Sequence, residues 1–448
     1  MDAVIVITFM TVPASVPDGV RVGGLFVYFH EVVLLAAVVY AGVRLRQAKP
    51  VGRRMLHSPV AIALGVFIVS VMIAVAHGLV AGYPIRDVQY DMRPVVAMVG
   101  AVFVAAVIVS LGDVARHVPA LFFTLSGSAL LMLVSSVTGL ALSGREEAAQ
   151  LYTTTGRLVA GGSDAHRLLT STTPLALAVT LIAVALLLVG VGRTKMIVVL
   201  LIPALIVDFL SFSRNAFLGV GVMLAFLIVT AVVNGMLLRI IVRIAVALGV
   251  LAVALGLAFV GASSMGAHEW AQSQVSGYSN RVISGLDEST RTVDSSTQDR
   301  RLENHYLAES VGDKEILGNG LGLRYKPATG APEEFAAGAG QLYAHNYYGW
   351  IRTKAGVLGL VAFLGVLATC VLPVILRNWR DGPSIAVAGT TAGLAAVIAV
   401  APMPNDHGGS IVFGCLLGYA IARAACRGDV MKQDAAVTPD DILTRAVH

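Results

Sequence analysis

Charge is scarce in this chain. Asp, Glu, Lys and Arg together make up 13% of its 448 residues, about half the share usual in a soluble protein. Hydrophobic residues make up 56%, and apolar stretches recur along the whole length. That pattern leaves no room for a separate soluble domain and places the chain among polytopic membrane proteins. The apolar runs are continuous rather than alternating, which excludes a transmembrane β-barrel. Cysteine is nearly absent. Cys370, Cys415 and Cys426 lie within or beside C-terminal apolar segments, so neither a disulfide framework nor a zinc site is supported. The N-terminus, MDAVIVITFM, lacks the basic region of a cleavable signal and reads as a first membrane segment. No internal repeat or low-complexity tract is evident.

The expected fold is an all-α membrane protein with about twelve transmembrane helices, each needing about 20 apolar residues. The spans fall at 2–15, 24–43, 58–81, 94–111, 118–140, 172–190, 196–211, 216–234, 240–262, 356–376, 384–401 and 410–424. Basic residues then set the sidedness. Arg44, Arg46, Lys49, Arg53 and Arg54 follow the second span, and Arg193 and Lys195 the sixth. Arg239 and Arg243 follow the eighth, Arg377 and Arg380 the tenth, and Arg423, Arg427 and Lys432 the twelfth. If all twelve segments cross, every cluster lies on one side, so the positive-inside rule puts both termini in the cytoplasm. The net charge of +5 therefore reports orientation, and no nucleic-acid partner is implied. Residues 1–427 form one domain, with an extracytoplasmic loop at 263–354 between helices 9 and 10. Residues 428–448 read as a disordered cytoplasmic tail.

Within the loop, RRLENHYLAES (300–310) has helical spacing. Leu302 and Tyr306, then Leu307 and Val311, give an apolar stripe, and Arg301 and His305 share another face. Ser296 and Asp299 precede it as capping residues. Elsewhere, Asp208 and Arg214 in DFLSFSRNAF stand at membrane depth, where charges are costly and tend to be paired or functional. Arg157, Arg300, Arg301 and Arg324 add guanidinium groups on the outer face. Each offers a fixed fork of donors suited to phosphate oxygens, and several converging on one cavity would form an anion site. ILGNGLGL (316–323) lacks the Lys-Ser/Thr ending of a P-loop, so Gly320 and its neighbours read as a tight turn. GQLYAHNYYGW (340–350) sets His345 and Asn346 among tyrosines. An interfacial imidazole there either is solvated or acts as a general base near neutral pH.

Taken in order, these stretches resemble the O-antigen ligase and O-antigen polymerase superfamily of bacterial membrane glycosyltransferases. SFSR (211–214) is similar to the family's Ser-Arg turn. RRLENHYLAES followed by ILGNGLG resembles its Arg-led helix and Gly-x-Gly, and AHNYYGWIRTKAGVLGL (344–360) its His-Asn-x-Tyr and Gly-x-x-Gly. GRLVAGG (156–162) is similar to the arginine loop before the sixth span. The chain departs from the pattern in three places. Asn304 or His305 stands where a tryptophan is common, Lys354 fills a frequently acidic position, and an Asn-Pro-Asn-like stretch is missing.

The resemblance implies a multi-pass protein of the bacterial cytoplasmic membrane whose active site is extracytoplasmic. It implies a metal-independent, inverting transfer without cofactors. A glycan passes from a polyprenyl-diphosphate carrier to a hydroxyl of a glycan or glycolipid acceptor. His345 would be the base. Arg214, with Arg301 or Arg300 and Arg157, would bind the diphosphate. Asn346, Asp208, Tyr348 and Gly320 would support them. The competing expectation is a transporter or flippase of an anionic lipid or solute, which would use the arginines but has no need of a base at His345.

Overall fold

Ser58 starts the first of the long apolar helices. Its hydroxyl accepts the Ala61 N–H at 3.2 Å, and Pro59 occupies the first turn, where no amide is needed. The structure, a computed structural model, describes residues 1–22, 25–47, 49–148, 165–246, 249, 268–286, 292, 294–312, 314–329, 335–376 and 381–436. In chain order the elements are α1 (Asp2–Phe9), a hairpin of β1 (Gly19–Val22) and β2 (Leu25–Tyr28), α2 (Phe29–Gln47) and α3 (Lys49–Leu56). Next come α4 (Pro59–Val80), α5 (Ile85–Ser110), α6 (Val118–Thr138) and a second hairpin, β3 (Arg145–Ala148) with β4 (His166–Leu169). Then follow α7 (Thr173–Val189), α8 (Thr194–Leu210), α9 (Asn215–Val233), α10 (His268–Tyr278) and α11 (Ser295–Val311). The chain closes with α12 (Tyr347–Leu376), α13 (Gly382–Val397) and α14 (His407–Ala436).

Among the described residues six helices are long and apolar enough to cross a membrane: Pro59–Val80, Ile85–Ser110, Val114–Thr138, Asn215–Val233, Tyr347–Leu376 and His407–Ala425. Thr173–Val189 and Gly382–Val397 are apolar but shorter. The protein is thus a helical membrane protein. Most of the ninth expected span, 240–262, lies outside the described residues.

Two expectations change. The segment expected to span at 2–15 is helical only over Asp2–Phe9, about 12 Å of rise against a hydrocarbon core of about 30 Å. Beyond Met10 the chain runs extended beside α6. Asp2 bonds His117 at 2.7 Å, the Thr11 N–H reaches Ser128 Oγ at 2.9 Å, and Pro13 bridges Leu142. Non-helical backbone at membrane depth is tolerated where protein satisfies it or a cavity adjoins it, and both hold here. The expected tail also changes. Residues 428–436 continue α14, whereas 437–448 lie outside the described residues.

Glycines set the tightest packing. Gly414 and Gly418, one turn apart on α14, lie against the Met98 and Val102 carbonyls of α5. A Cβ at either would stand 2.4 Å from oxygen. Small residues at this spacing let two helix backbones approach, the usual means of association where hydrophobic driving force is absent. The register 98–414 and 102–418 makes the two helices parallel. The Asp113 and Arg423 ends therefore coincide, as do the Asp91 and His407 ends. Ion pairs Arg44–Asp113 and Arg423–Asp381 and the His117–Asp2 hydrogen bond gather at the first end, and a large cavity opens at the second.

The GNGLG segment is fastened at the cavity end by backbone bonds. The Asn319 and Gly320 N–H groups donate to the Thr353 and Lys354 carbonyls of α12, each at 2.9 Å, and Leu321 N–H to Ala74 O of α4 at 3.0 Å. Gly318, Gly320 and Gly322 all have φ between +73° and +94°, a conformation that costs other residues about 1–2 kcal/mol. A Cβ on Gly320 would stand 2.4 Å from the Gly78 nitrogen. Gly320 is therefore a packing residue rather than part of a site. Gly356, at φ +69°, breaks α12 and separates Tyr347–Ala355 from the apolar length beyond.

Candidate functional site

The cavity has a volume of about 1180 Å³. Its walls come from α1 and the extended chain after it, both hairpins, the starts of α7, α11 and α14, and the loop before α12. His345 lines it. Helix α11 reaches it with its first turns, through Asp299, Arg300 and Glu303, while Glu303, Leu307 and Val311 are buried at successive four-residue steps. Asp294, rather than Ser296 or Asp299, precedes this helix as its N-cap. Its backbone carbonyl accepts the Thr297 and Gln298 N–H groups at 3.1 Å. Leu302, expected in the apolar stripe, is 51% exposed.

Glu303 holds His345 twice. One carboxylate oxygen accepts the His345 backbone N–H at 2.5 Å, and the other lies 3.2 Å from the ring Nδ1. Lys326 Nζ donates to the same carboxylate at 2.9 Å. Burial by itself would raise the Glu303 carboxyl, but the bonds and charge from His345 and the Lys326 ammonium outweigh it and hold it at about 2, against an ordinary 4.5. A depressed carboxyl contributes stability that is present above its unfolded value and lost as pH falls through the folded one. The thermal-stability advantage of wild type over Glu303→Gln is therefore expected to be full above pH 4.5 and to vanish as pH approaches about 2. A pH-independent difference between the two melting curves would contradict this. When the ring is neutral, the carboxylate accepts Nδ1–H and the lone pair sits on Nε2, which is the tautomer of a base.

Arginines gather beside this pair. Arg145, Arg167, Arg281 and Arg300 line the cavity. Arg300 is largely enclosed, and its Nε has no hydrogen-bond partner among the described residues. Burial, then the neighbouring Arg214 and Arg281 charges, lowers its pKa, while Asp294 and Glu303 partly offset them. Mutual repulsion of guanidinium groups around an enclosed space is relieved by an anion.

The remaining expected residues are placed as follows. Arg214 stands just behind the wall, between Ser213 and Asn215, which line it. It donates to Asp294 at 3.1 Å and to Gly285 O at 3.1 Å. It does not pair with Asp208, which is half-buried and accepts from Thr180 at 2.7 Å. Asp208 supports the helix packing rather than the cavity. Arg301 is exposed and does not line the cavity, so of the adjacent pair only Arg300 belongs to it. Arg324 is engaged by both oxygens of Asp87, at 2.7 and 3.2 Å. Asn346 caps α12, its side-chain oxygen accepting the Gly349 N–H at 3.0 Å. Tyr348 donates to Ala395 O at 2.6 Å and fastens α12 to α13. Arg157 lies outside the described residues.

Sequence reading missed Glu303, Arg281, Arg145 and Arg167. Only Glu303 carried a usable signal, standing three residues after Arg300 and so on the same helix face. Exchanging Arg300 for Lys, which keeps charge but not the planar fork, is expected to reduce binding of inorganic pyrophosphate at least about tenfold. Arg301→Ala is expected to leave it unchanged. Titration of the detergent-solubilised protein checks both, and equal effects at the two positions would remove Arg300 from the anion site. No protein-family model and no curated protein matches the chain, and the chemistry of the cavity rests on its own residues.

Proposed function

We propose that the protein transfers a glycan from a polyprenyl-diphosphate carrier to an acceptor hydroxyl on the outer face of a bacterial cytoplasmic membrane, as an O-antigen ligase-like or polymerase-like enzyme. The observation that carries this reading is the Glu303-held imidazole of His345 in the same cavity as Arg300 and Arg281, with Arg214 behind them. His345 takes the proton of the acceptor hydroxyl as that oxygen attacks the anomeric carbon. Glu303 stabilises the imidazolium that forms. The C–O bond to the diphosphate breaks with its electron pair on the leaving group, whose charge the guanidinium groups receive. Attack opposite the leaving group inverts the anomeric centre.

The basic residues at the far end support the sidedness, since Arg44 and Arg423 stand at the end away from the cavity and basic loops favour the cytoplasm. A transporter of anionic lipid would use the arginines equally well, but a carboxylate-oriented base favours transfer.

Deleting the gene tests the reading in the cell. Carrier-linked glycan is expected to accumulate, as long chains if the protein is a ligase and as single repeats if it is a polymerase. An unchanged carrier pool would overturn the reading.

A further inference from the structure

A second group of cavity residues has a different chemistry. Asp18 and His30 come from the first hairpin and the start of α2, and Asp406 and His407 from the turn into α14. All four line the cavity. The imidazoles of His30 and His407 lie 4.8 Å apart between ring centres, with Tyr28 stacked on His30 at 5.2 Å. Arg93, above the Tyr28 ring at 5.6 Å, is also held by Glu31 at 3.5 Å. The ring group is thus fixed in place. Yet His30 Nε2 and His407 Nδ1 have no hydrogen-bond partner among the described residues. Both atoms are therefore open to a donor or acceptor brought by a ligand or by water. Asp406 is accessible and lines the cavity, while the surrounding protein desolvates its carboxyl and raises its pKa.

The His345 loop is tied to both groups. On one side it is bound to Glu303, one turn from Arg300. On the other, the carbonyl of Ala344 accepts from Asn405 at 3.4 Å, and Asn405 directly precedes Asp406 and His407. A base that deprotonates an attacking hydroxyl must lie within hydrogen-bond reach of that hydroxyl, with the anomeric carbon between it and the leaving group in an inverting attack. The arginines suit the diphosphate, and the Asp–His group, tied to the His345 loop through Asn405, is the polar surface left for the acceptor. Its carboxylates repel anions, whereas hydroxyl groups both donate and accept and so satisfy carboxylates and either imidazole tautomer.

We propose that Asp18, His30, Asp406 and His407 form the acceptor subsite, and that it takes the end of an uncharged glycan rather than a phosphate- or uronate-bearing one. This rests on the glycosyl-transfer reading above and adds the substrate class to it.

Two measurements on the full-length, detergent-solubilised chain separate the two claims. Inorganic pyrophosphate reports on the arginine wall through a shift in melting temperature. An array of neutral, phosphorylated and uronate-bearing oligosaccharides reports on the Asp–His group. Neutral members are expected to be retained, with retention falling at least about tenfold in His407→Phe and in Asp406→Asn. Both variants are expected to keep the pyrophosphate shift, which also shows that they fold. Where either misfolds, Asp18→Asn takes its place. Retention of anionic members only, of none, or of neutral members equally by wild type and folded variants would overturn the acceptor assignment. A missing pyrophosphate shift in wild type would instead strike the transfer reading itself.

Discussion

Replacing His345 by alanine is expected to lower glycan transfer at least about a hundredfold while the chain still folds and inserts, the loss typical of removing a general base. The fold should survive because the Glu303 bond to position 345 includes the backbone N–H, which alanine retains. The side chain is 36% exposed, so little packing is lost with it. What disappears is the nitrogen that receives the hydroxyl proton. Glu303→Gln should produce a smaller loss in the same assay, since an amide can still orient the ring but cannot stabilise the imidazolium. Transfer by His345→Ala near the wild-type rate, measured with carrier-linked donor in proteoliposomes, would remove the imidazole from the mechanism. A transporter would show the same insensitivity.

The second large effect concerns stability. Asp91→Ala is expected to cost about 3–5 kcal/mol, because it leaves the Lys354 ammonium enclosed without its counter-charge. The two side chains are 1% and 0% exposed and meet at 2.7 Å. Each also serves the glycine segment. Asp91 accepts the Gly322 N–H at 2.7 Å, and Lys354 donates to Leu323 O at 2.5 Å. Lys354→Met should be destabilising too. The double variant Asp91→Leu with Lys354→Met should lose less than the two single changes summed, since the charge penalty is removed while two backbone groups stay unpaired. Melting midpoints in detergent give the comparison. A single Asp91→Ala protein as stable as wild type would show that the pair fastens nothing.

That pair also shows where sequence reading runs out. Lys354 stood out only as a departure from a frequently acidic position, and its partner lies 263 residues away in the chain. No local pattern links them. The helical membrane character was legible because long apolar runs have few alternatives in lipid. The phase of α11 was not, because Leu302 and Tyr306 offered a second plausible stripe beside Glu303, Leu307 and Val311. The choice between Arg300 and Arg301 turned on that phase. Glu303 looked like one more acid in a polar loop, and its meaning appears only against His345, 42 residues further on. Asp208 and Arg214 invited pairing by proximity in sequence, but the turn between them, with Phe212 at φ +45°, sends their side chains to different partners.

The extended stretch after α1 has a consequence for how mutations act. There the main chain leans on side-chain hydroxyls: Ser128 accepts the Thr11 N–H at 2.9 Å, and Thr172 donates to the Phe9 carbonyl. In a regular helix a hydroxyl-to-methyl exchange is nearly silent, because the peptide groups are already paired among themselves. At Ser128 the same exchange takes the partner from the Thr11 N–H, and at Thr172 it leaves the Phe9 carbonyl with only the longer Ser171 bond at 3.4 Å. Two of the mildest-looking residues in the chain are therefore among the least exchangeable.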